Sequence, residues 1–296
     1  MNTAQDLQNY ISDRGISQSA VARGIGKSTA TINQYLQGKY NGDVETLDKL
    51  VAAWLQTQQE RENDTRTQLN YTYTATAQRI EEVLRLAHVE GETVVIYGQA
   101  GLGKTSALEA YVKRNPDAIM IDSDPSYSAK VLLSSMALAL GVESRGSLHQ
   151  LIEELIKKLK NSGRIILVDE AENLPLRALE CLRRIHDKTG VGLVLAGMPR
   201  LLVNLRGSKG ELKQLYSRVA FKFDLGNTIP NTELSEIINQ SLMGIESETV
   251  NELVIASKGN TRRLAKLIRG VTRMAKVNNR ELDANMVREF EKMLID

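Results

Sequence analysis

The chain has 296 residues, with Lys+Arg 38 against Asp+Glu 36 and a formal net charge of +2, which excludes a protein that coats nucleic acid by bulk charge alone. Its 42% hydrophobic and 25% charged residues are those of a globular fold, and the length fits roughly two domains. One cysteine, Cys181, three scattered histidines, His88, His149 and His186, and apolar runs of strand length exclude an internal disulfide, a zinc cluster and a membrane span, pointing to a reducing, cytoplasmic setting.

Residues 1–58 read as short helices with tight turns. Over 15–38 the pattern is helix-turn-helix. Ser17 can cap one helix, Gly24-Ile25-Gly26 makes the turn, and Ser28 caps a second helix through Leu36. Ile16, Val21, Ile25, Ile32 and Leu36 form its small core. That leaves Thr29, Ala30, Thr31, Asn33 and Gln34 where short polar side chains meet base edges or phosphates. The first sixty residues hold five basic and six acidic side chains, so this unit lacks the footprint of an independent tight DNA binder, and protein contact stays open beside DNA contact. Asp43 can cap a further helix in which Leu47, Leu50, Val51, Trp54 and Leu55 recur at helical spacing.

Residues 59–77 carry five threonines and no helical apolar stripe. They read as a linker that becomes extended over 72–76, where alternation allows an edge strand or arm. From 78 to 227, helical stretches alternate with short β-branched runs at 94–97, 119–122, 165–169, 192–196 and 220–225. That alternation predicts βαβ units and a mostly parallel sheet covered by helices. Residues 228–296 read as all helix, near 231–243, 247–257, 261–277 and 283–294.

The strongest motif is Gly98-Gln99-Ala100-Gly101-Leu102-Gly103-Lys104-Thr105, which fits G-x-x-x-x-G-K-[ST] between an apolar strand and a helix. Glycines let backbone N–H groups curl around phosphates at a helix N-terminus. Lys104 is placed to meet the β/γ-phosphate charge and Thr105 to put its hydroxyl on Mg²⁺. Downstream, the strand 165–168 ends in Asp169 and Glu170, expected to hold the Mg²⁺ shell and to polarise an attacking water. Glu172 reads as a solvated first-turn acid. Arg218, before the last strand, could reach a neighbouring subunit's γ-phosphate, and Arg262, opening a C-terminal helix, could report phosphate state to a lid. In this order the motifs resemble the AAA+ ATPases, P-loop NTPases with a parallel-sheet α/β core and a helical lid, over 78–280. One departure is Met198, where many relatives carry a polar residue that contacts the attacking water; a thioether orients water poorly.

Residues 258–280 contain eight Lys/Arg and no acid. Leu264, Leu267, Ile268, Val271 and Met274 supply the apolar stripe of the same helix, so Arg263, Lys266, Arg269 and Arg273 populate its outer face. A solvated face and a phosphate-contacting face fit this run equally. Arg145, Lys157, Lys158 and Lys160 are further candidates for following a DNA backbone.

The N-terminal block Lys39-Tyr-Asn-Gly-Asp43, the helix closing on Ala53-Trp54-Leu55, the threonine-rich arm and an AAA+ core carrying Leu215-Tyr-Ser-Arg-Val-Ala220 together resemble the transposition target-DNA activator B family of Mu-like phages, over essentially the full chain. The resemblance implies ATP and Mg²⁺ as cofactors, and self-association into an ATP-dependent helical filament or ring on duplex DNA with little sequence preference. It also implies delivery of that DNA to a transposase that stimulates ATP hydrolysis, in the host-cell cytoplasm. Residues 98–105, Asp169, Glu170 and Arg218 inherit nucleotide roles by motif match; Met198 does not match. Two other readings share these motifs: a helicase loader or replication initiator, and a helix-turn-helix regulator whose ATPase sets its oligomeric state.

Overall fold

A computed structural model describes residues 3–65, 71–143, 145–206 and 216–295, which divide into two compact units, 1–68 and 69–296. In the first unit are helices α1 (Thr3–Arg14), α2 (Gln18–Ile25), α3 (Thr29–Leu36) and α4 (Val44–Thr65). The hydroxyls of Ser17 and Ser28 accept from the backbone N–H of Ala20 and Thr31, and Gly26 ends α2 in the left-handed region. Asp43 accepts from Thr46 N at 3.0 Å and Thr46 Oγ1 at 2.6 Å, which holds its carboxyl below the usual range. Leu7, Val21, Ile32, Tyr35, Leu47, Val51 and Leu55 are buried together, with Ile16, Ile25, Leu36 and Trp54 packed around them. The Tyr35 hydroxyl donates to Asp48, and burial followed by that bond pushes the phenol well above its ordinary value.

The expected linker at 59–77 is corrected at both ends. Helix α4 continues to Thr65, and α5 (Ala75–Glu90) starts within the segment. Residues 72–76 form no strand. Thr74 caps α5 by accepting from Ala77 N, while Thr72, Thr74 and Thr76 are buried. Their alternation reflects a helix entry packed against protein rather than an edge of sheet.

The second unit continues with β1 (Thr93–Tyr97), α6 (Lys104–Arg114), β2 (Ala118–Asp122), α7 (Ala129–Ala139), α8 (Leu148–Leu159), β3 (Ile165–Asp169), α9 (Leu176–Thr189), β4 (Gly192–Gly197), α10 (Arg200–Arg206) and β5 (Val219–Asp224). All strand pairings are parallel, in the order β2-β3-β4-β1-β5. Strand residues alternate between two cores, as a period of two requires. Val95, Ile166, Val168, Leu193 and Leu195 face α7, α8 and α9, whereas Val94, Ile96, Ile165, Leu167 and Val194 face α5 and α6. Burial on both faces accounts for the continuous apolar runs of β1, β3 and β4, while β5 lies exposed at the sheet edge.

Helices α11 (Asn231–Ser241), α12 (Ser247–Ser257), α13 (Thr261–Val277) and α14 (Ala284–Glu291) close a third core around Leu234, Leu253, Leu264, Leu267, Ile268 and Val271. The buried Glu233 carboxylate ties this bundle to the start of α5, accepting from Thr76 N at 3.0 Å and Thr76 Oγ1 at 2.9 Å. Among the described residues no helix is long and apolar enough to cross a membrane.

A close approach of α5 to the sheet depends on Gly192. A Cβ there would lie 2.4 Å from the backbone oxygen of Ala87, an atom that no rotamer change can move. Gly192→Ala is expected to cost about 2–3 kcal/mol, read as a lowered urea midpoint; an unchanged midpoint would show that α5 can shift freely on the sheet.

Candidate nucleotide site

The site forms where β1, β3 and β4 end, the crevice at which parallel α/β sheets gather ligand-binding loops. Residues 98–103 leave β1 and turn into α6, with Gly101 at φ +79° and Gly103 at φ +84°. These left-handed conformations strain any residue with a Cβ, so the glycines are required by the turn itself. The first α6 residues are Lys104 and Thr105.

Lys104 is only 8% exposed. Its Nζ donates to the carbonyls of Gly98 and Gln99, each at 2.8 Å, using two of three ammonium hydrogens and leaving one for a ligand. Burial lowers its pKa; the charges of Asp169 and Glu172 oppose that effect, and Arg262 reinforces it. Arg262 follows Thr261, whose N and Oγ1 both donate to Gly101 O, which sets its backbone beside the loop. Thr105 Oγ1 donates to Asp169 Oδ2 at 2.5 Å, joining the start of α6 to the end of β3. Asp122, paired with Asp169 across the sheet, has its carboxyl pushed up by burial first and then by the charges of Asp169 and Glu170.

These residues fit a nucleoside triphosphate with Mg²⁺. A hydroxyl and a carboxylate already share one point, an oxygen pair suited to a hard cation, and at the neighbouring α6 residue a buried ammonium is held on the loop carbonyls of Gly98 and Gln99. When bound, Mg²⁺ supplies charge compensation for the phosphate oxygens.

Glu170 follows with φ +49°, uncommon for a residue with a side chain. The Ser123 hydroxyl sits within 2.8 Å of the Asp169 carbonyl and 2.9 Å of the Glu170 carbonyl, fixing this corner. Asn173 Nδ2 donates to Glu170 Oε2 at 3.1 Å. The reading of Glu172 as a solvated acid is overturned: its side chain is 4% exposed and packs against Gly197, where a Cβ would come within 2.0 Å of Oε2. The 3₁₀ turn at Ala171–Asn173 rolls Glu172 inward beneath β4, whereas a regular helical first turn would have presented it to water.

The helical bundle touches the phosphate loop directly. Asn260 Nδ2 donates to Ala100 O at 2.9 Å, and Thr261 donates to Gly101 O through N at 2.9 Å and Oγ1 at 2.8 Å. Neither residue was singled out by the sequence. The signal available was a helix start, Asn260 before α13, but its partner 160 positions away leaves no local trace.

Arg218 lies outside this cluster. It is held by Asp187 of α9 at 3.0 Å, with its side chain half exposed. Met198 follows β4, with Pro199 and α10 after it. Leu215, also in the quoted motif, lies outside the described residues.

Of the expected DNA-contacting residues, Thr29, Ala30, Asn33 and Gln34 are exposed on α3, and Thr31 is half-buried. Arg145, Lys157, Lys158 and Lys160 are exposed in the second unit. On α13, Arg262, Lys266, Arg269 and Arg273 are exposed at spacings of four, three and four, which places them along one stripe. Arg263 is corrected. It is 12% exposed and turned toward α12 and α14, donating to Ala256 O at 2.7 Å, Ile295 O at 3.3 Å and Glu291 at 3.4 Å. One residue off the stripe, it packs the bundle together.

Comparison with known proteins gives concordant results. The family described as AAA domain matches residues 88–205, and the family described as helix-turn-helix matches 10–53. The Mu-like prophage FluMu DNA transposition protein B of Haemophilus influenzae is 30% identical over 228 residues, covering 74% of this chain and 78% of that protein. The ATP-dependent target DNA activator B of Escherichia phage Mu is 29% identical over 230 residues, covering 75% and 72%. Among solved structures, the Aeropyrum pernix ORC2 protein superposes with a TM-score of 0.59 at 20% identity, over 76% of this chain and 70% of that one, a likeness of fold.

Proposed function

The chain belongs to the DNA transposition protein B family of Mu-like phages and prophages, an AAA+ ATPase family, and we propose that it binds duplex DNA in an ATP-dependent assembly and delivers that DNA to a transposase. The observation that carries this reading is the hydrogen-bonded link from the helical bundle to the phosphate loop through Asn260 and Thr261. Through it, whatever the loop holds bears on the helix that presents Lys266, Arg269 and Arg273.

The residues divide the work as follows. The N–H groups of the loop from Gly98 to Gly103, Gln99, Ala100 and Leu102 included, cradle the phosphates, and Lys104 and Arg262 meet their charge. Thr105 and Asp169 hold Mg²⁺. Glu170 takes the proton from an attacking water while Lys104 and a neighbour's Arg218 offset the charge on the phosphoryl oxygens. Arg218 is suited to reach out because an exposed ion pair such as that with Asp187 contributes about 1 kcal/mol or less and is readily exchanged. Hydrolysis then removes what the neighbour's arginine binds, and the assembly loosens. DNA is held by the α13 stripe, with Arg145, Lys157, Lys158 and Lys160 as additional contacts and the α3 residues Thr29, Ala30, Thr31, Asn33 and Gln34 giving auxiliary ones. With a chain charge of only +2, one subunit binds weakly, and repetition along DNA supplies the avidity.

Electron microscopy of the protein with duplex DNA and ATP tests the assembly. Filaments or rings are expected with ATP and none without it. Arg218→Ala is expected to keep ATP affinity within about twofold and to abolish the assemblies; persistent assemblies would remove Arg218 from the subunit contact. A discrete footprint on random-sequence DNA, in place of uniform protection, would favour a sequence-reading regulator.

A further inference from the structure

The polar position expected after β4 holds Met198, so the attacking water lacks a side-chain partner from that strand. Two residues further on, Arg200 begins α10 and turns back toward the end of β3. Its Nη2 donates to Asn173 Oδ1 at 2.8 Å, and Asn173 Nδ2 donates to Glu170 Oε2 at 3.1 Å and to Ser123 O at 3.3 Å. The guanidinium also faces the buried Glu172 carboxylate, with Nε 3.9 Å from Oε1, while Glu172 Oε2 lies buried with no hydrogen-bond partner among the described residues. Asn204, one turn along α10, donates to Glu172 O at 3.0 Å.

We propose that Arg200 and Asn173 are positioning residues for ATP hydrolysis, a relay from α10 that fixes the orientation of the Glu170 carboxylate. The proposal rests on Glu170 being the base that takes the proton from water.

Arginine carries only donors, so its bond to Asn173 fixes which end of the amide is oxygen, and the Nδ2 end is left to face Glu170 and Ser123 O. A positive charge on the amide oxygen also polarises the amide, strengthening its N–H donation along the chain. Among the described residues only Oε2 of Glu170 is engaged, so Oε1 stays available to accept from water. The carboxylate is anchored at one oxygen and open at the other, which is how an orienting partner serves a base without replacing it. The left-handed backbone of Glu170 and the Ser123 hydroxyl on its carbonyl hold the other end of the residue. Glu172 keeps the guanidinium over Asn173 by its charge. The orienting role lost at Met198 is thereby supplied from the helix that follows it.

The test compares Arg200→Ala, Asn173→Ala, the double variant and Arg200→Lys in the full-length protein. It measures kcat and KM for ATP hydrolysis with duplex DNA present, and the affinity for a fluorescent ATP analogue. Each alanine variant is expected to lower kcat roughly ten- to a hundredfold, with KM and analogue affinity within about twofold. The double variant should be no slower than the slower single one, since both interrupt one relay. Arg200→Lys, which keeps a donor for Asn173 Oδ1, should recover part of the rate. An unchanged or raised kcat, additive losses, or a loss traced to nucleotide affinity overturns the relay. Glu170→Gln separates the two levels: normal turnover in that variant defeats the base assignment itself. A large loss there, with unchanged rates in the Arg200 and Asn173 variants, defeats only the relay.

Discussion

Lys104→Ala is expected to lower ATP affinity by about a hundredfold or more, equivalent to about 2.7 kcal/mol, and with it to abolish the ATP-dependent DNA binding proposed above. Two losses combine. The ammonium is buried, so its attraction to phosphate is less screened than at a surface. It is also the clasp that draws the Gly98 and Gln99 carbonyls together at 2.8 Å each, and without it the loop N–H groups lose their common direction. The free protein should change less, because burial disfavours the charge that is removed while Asp169 and Glu172 favour it, two effects of opposite sign. Titration with a fluorescent ATP analogue, alongside thermal unfolding without nucleotide, checks both parts. Wild-type affinity in the variant would exclude Lys104 from phosphate contact.

The architecture was legible because its cause is local. Short β-branched runs alternating with helical spacing called for a mostly parallel sheet covered by helices, and the observed pairings are parallel; the order β2-β3-β4-β1-β5 depends on crossovers that this pattern does not encode. The phosphate loop was legible for the same reason, since positive-φ glycines at Gly101 and Gly103 are demanded by the turn that the motif encodes. Ser17 and Ser28 as caps likewise depend on neighbours within three residues.

What sequence could not reveal is the pairing of distant polar groups. Glu172 looked like any acid after a strand until the 3₁₀ turn rolled it under Gly197. Arg263 looked like its neighbours Arg262 and Lys266, but a helix turns 100° per residue and one step carried it from the exposed stripe onto Ala256 and Glu291. The threonines of 72–76 alternate like a strand, yet Glu233 reaches the N–H and hydroxyl of Thr76 at the start of α5, a partner 157 residues away. In each case the residue type was informative and the partner was not.

Gly101→Val is expected to uncouple the loop from the helical bundle, lowering ATP affinity by about a hundredfold while the bundle stays folded. At φ +79° a side chain costs roughly 1–2 kcal/mol in backbone strain. The added Cβ would also stand 2.1 Å from Asn260 Oδ1, the oxygen that caps α13 by accepting from Arg263 N at 3.0 Å. Asn260 cannot simply turn away. Doing so frees the first turn of α13 and releases the Ala100 carbonyl held by its Nδ2. The alternative is for the loop to withdraw, which breaks both Thr261 bonds to Gly101 O. Either way the loop leaves the geometry in which its N–H groups converge, and the stripe of Lys266, Arg269 and Arg273 no longer feels its state. Removing the obstructing side chain gives the decisive comparison. In Gly101→Val combined with Asn260→Ala the steric clash is gone, while the strain, the lost cap and the lost bond to Ala100 O remain, and the two Thr261 bonds to Gly101 O can form again, so ATP affinity should rise above that of the Gly101→Val variant alone. If the double variant binds no better, the clash with Asn260 is not the source of the defect, and the displacement of the bundle by the new side chain is overturned as its cause.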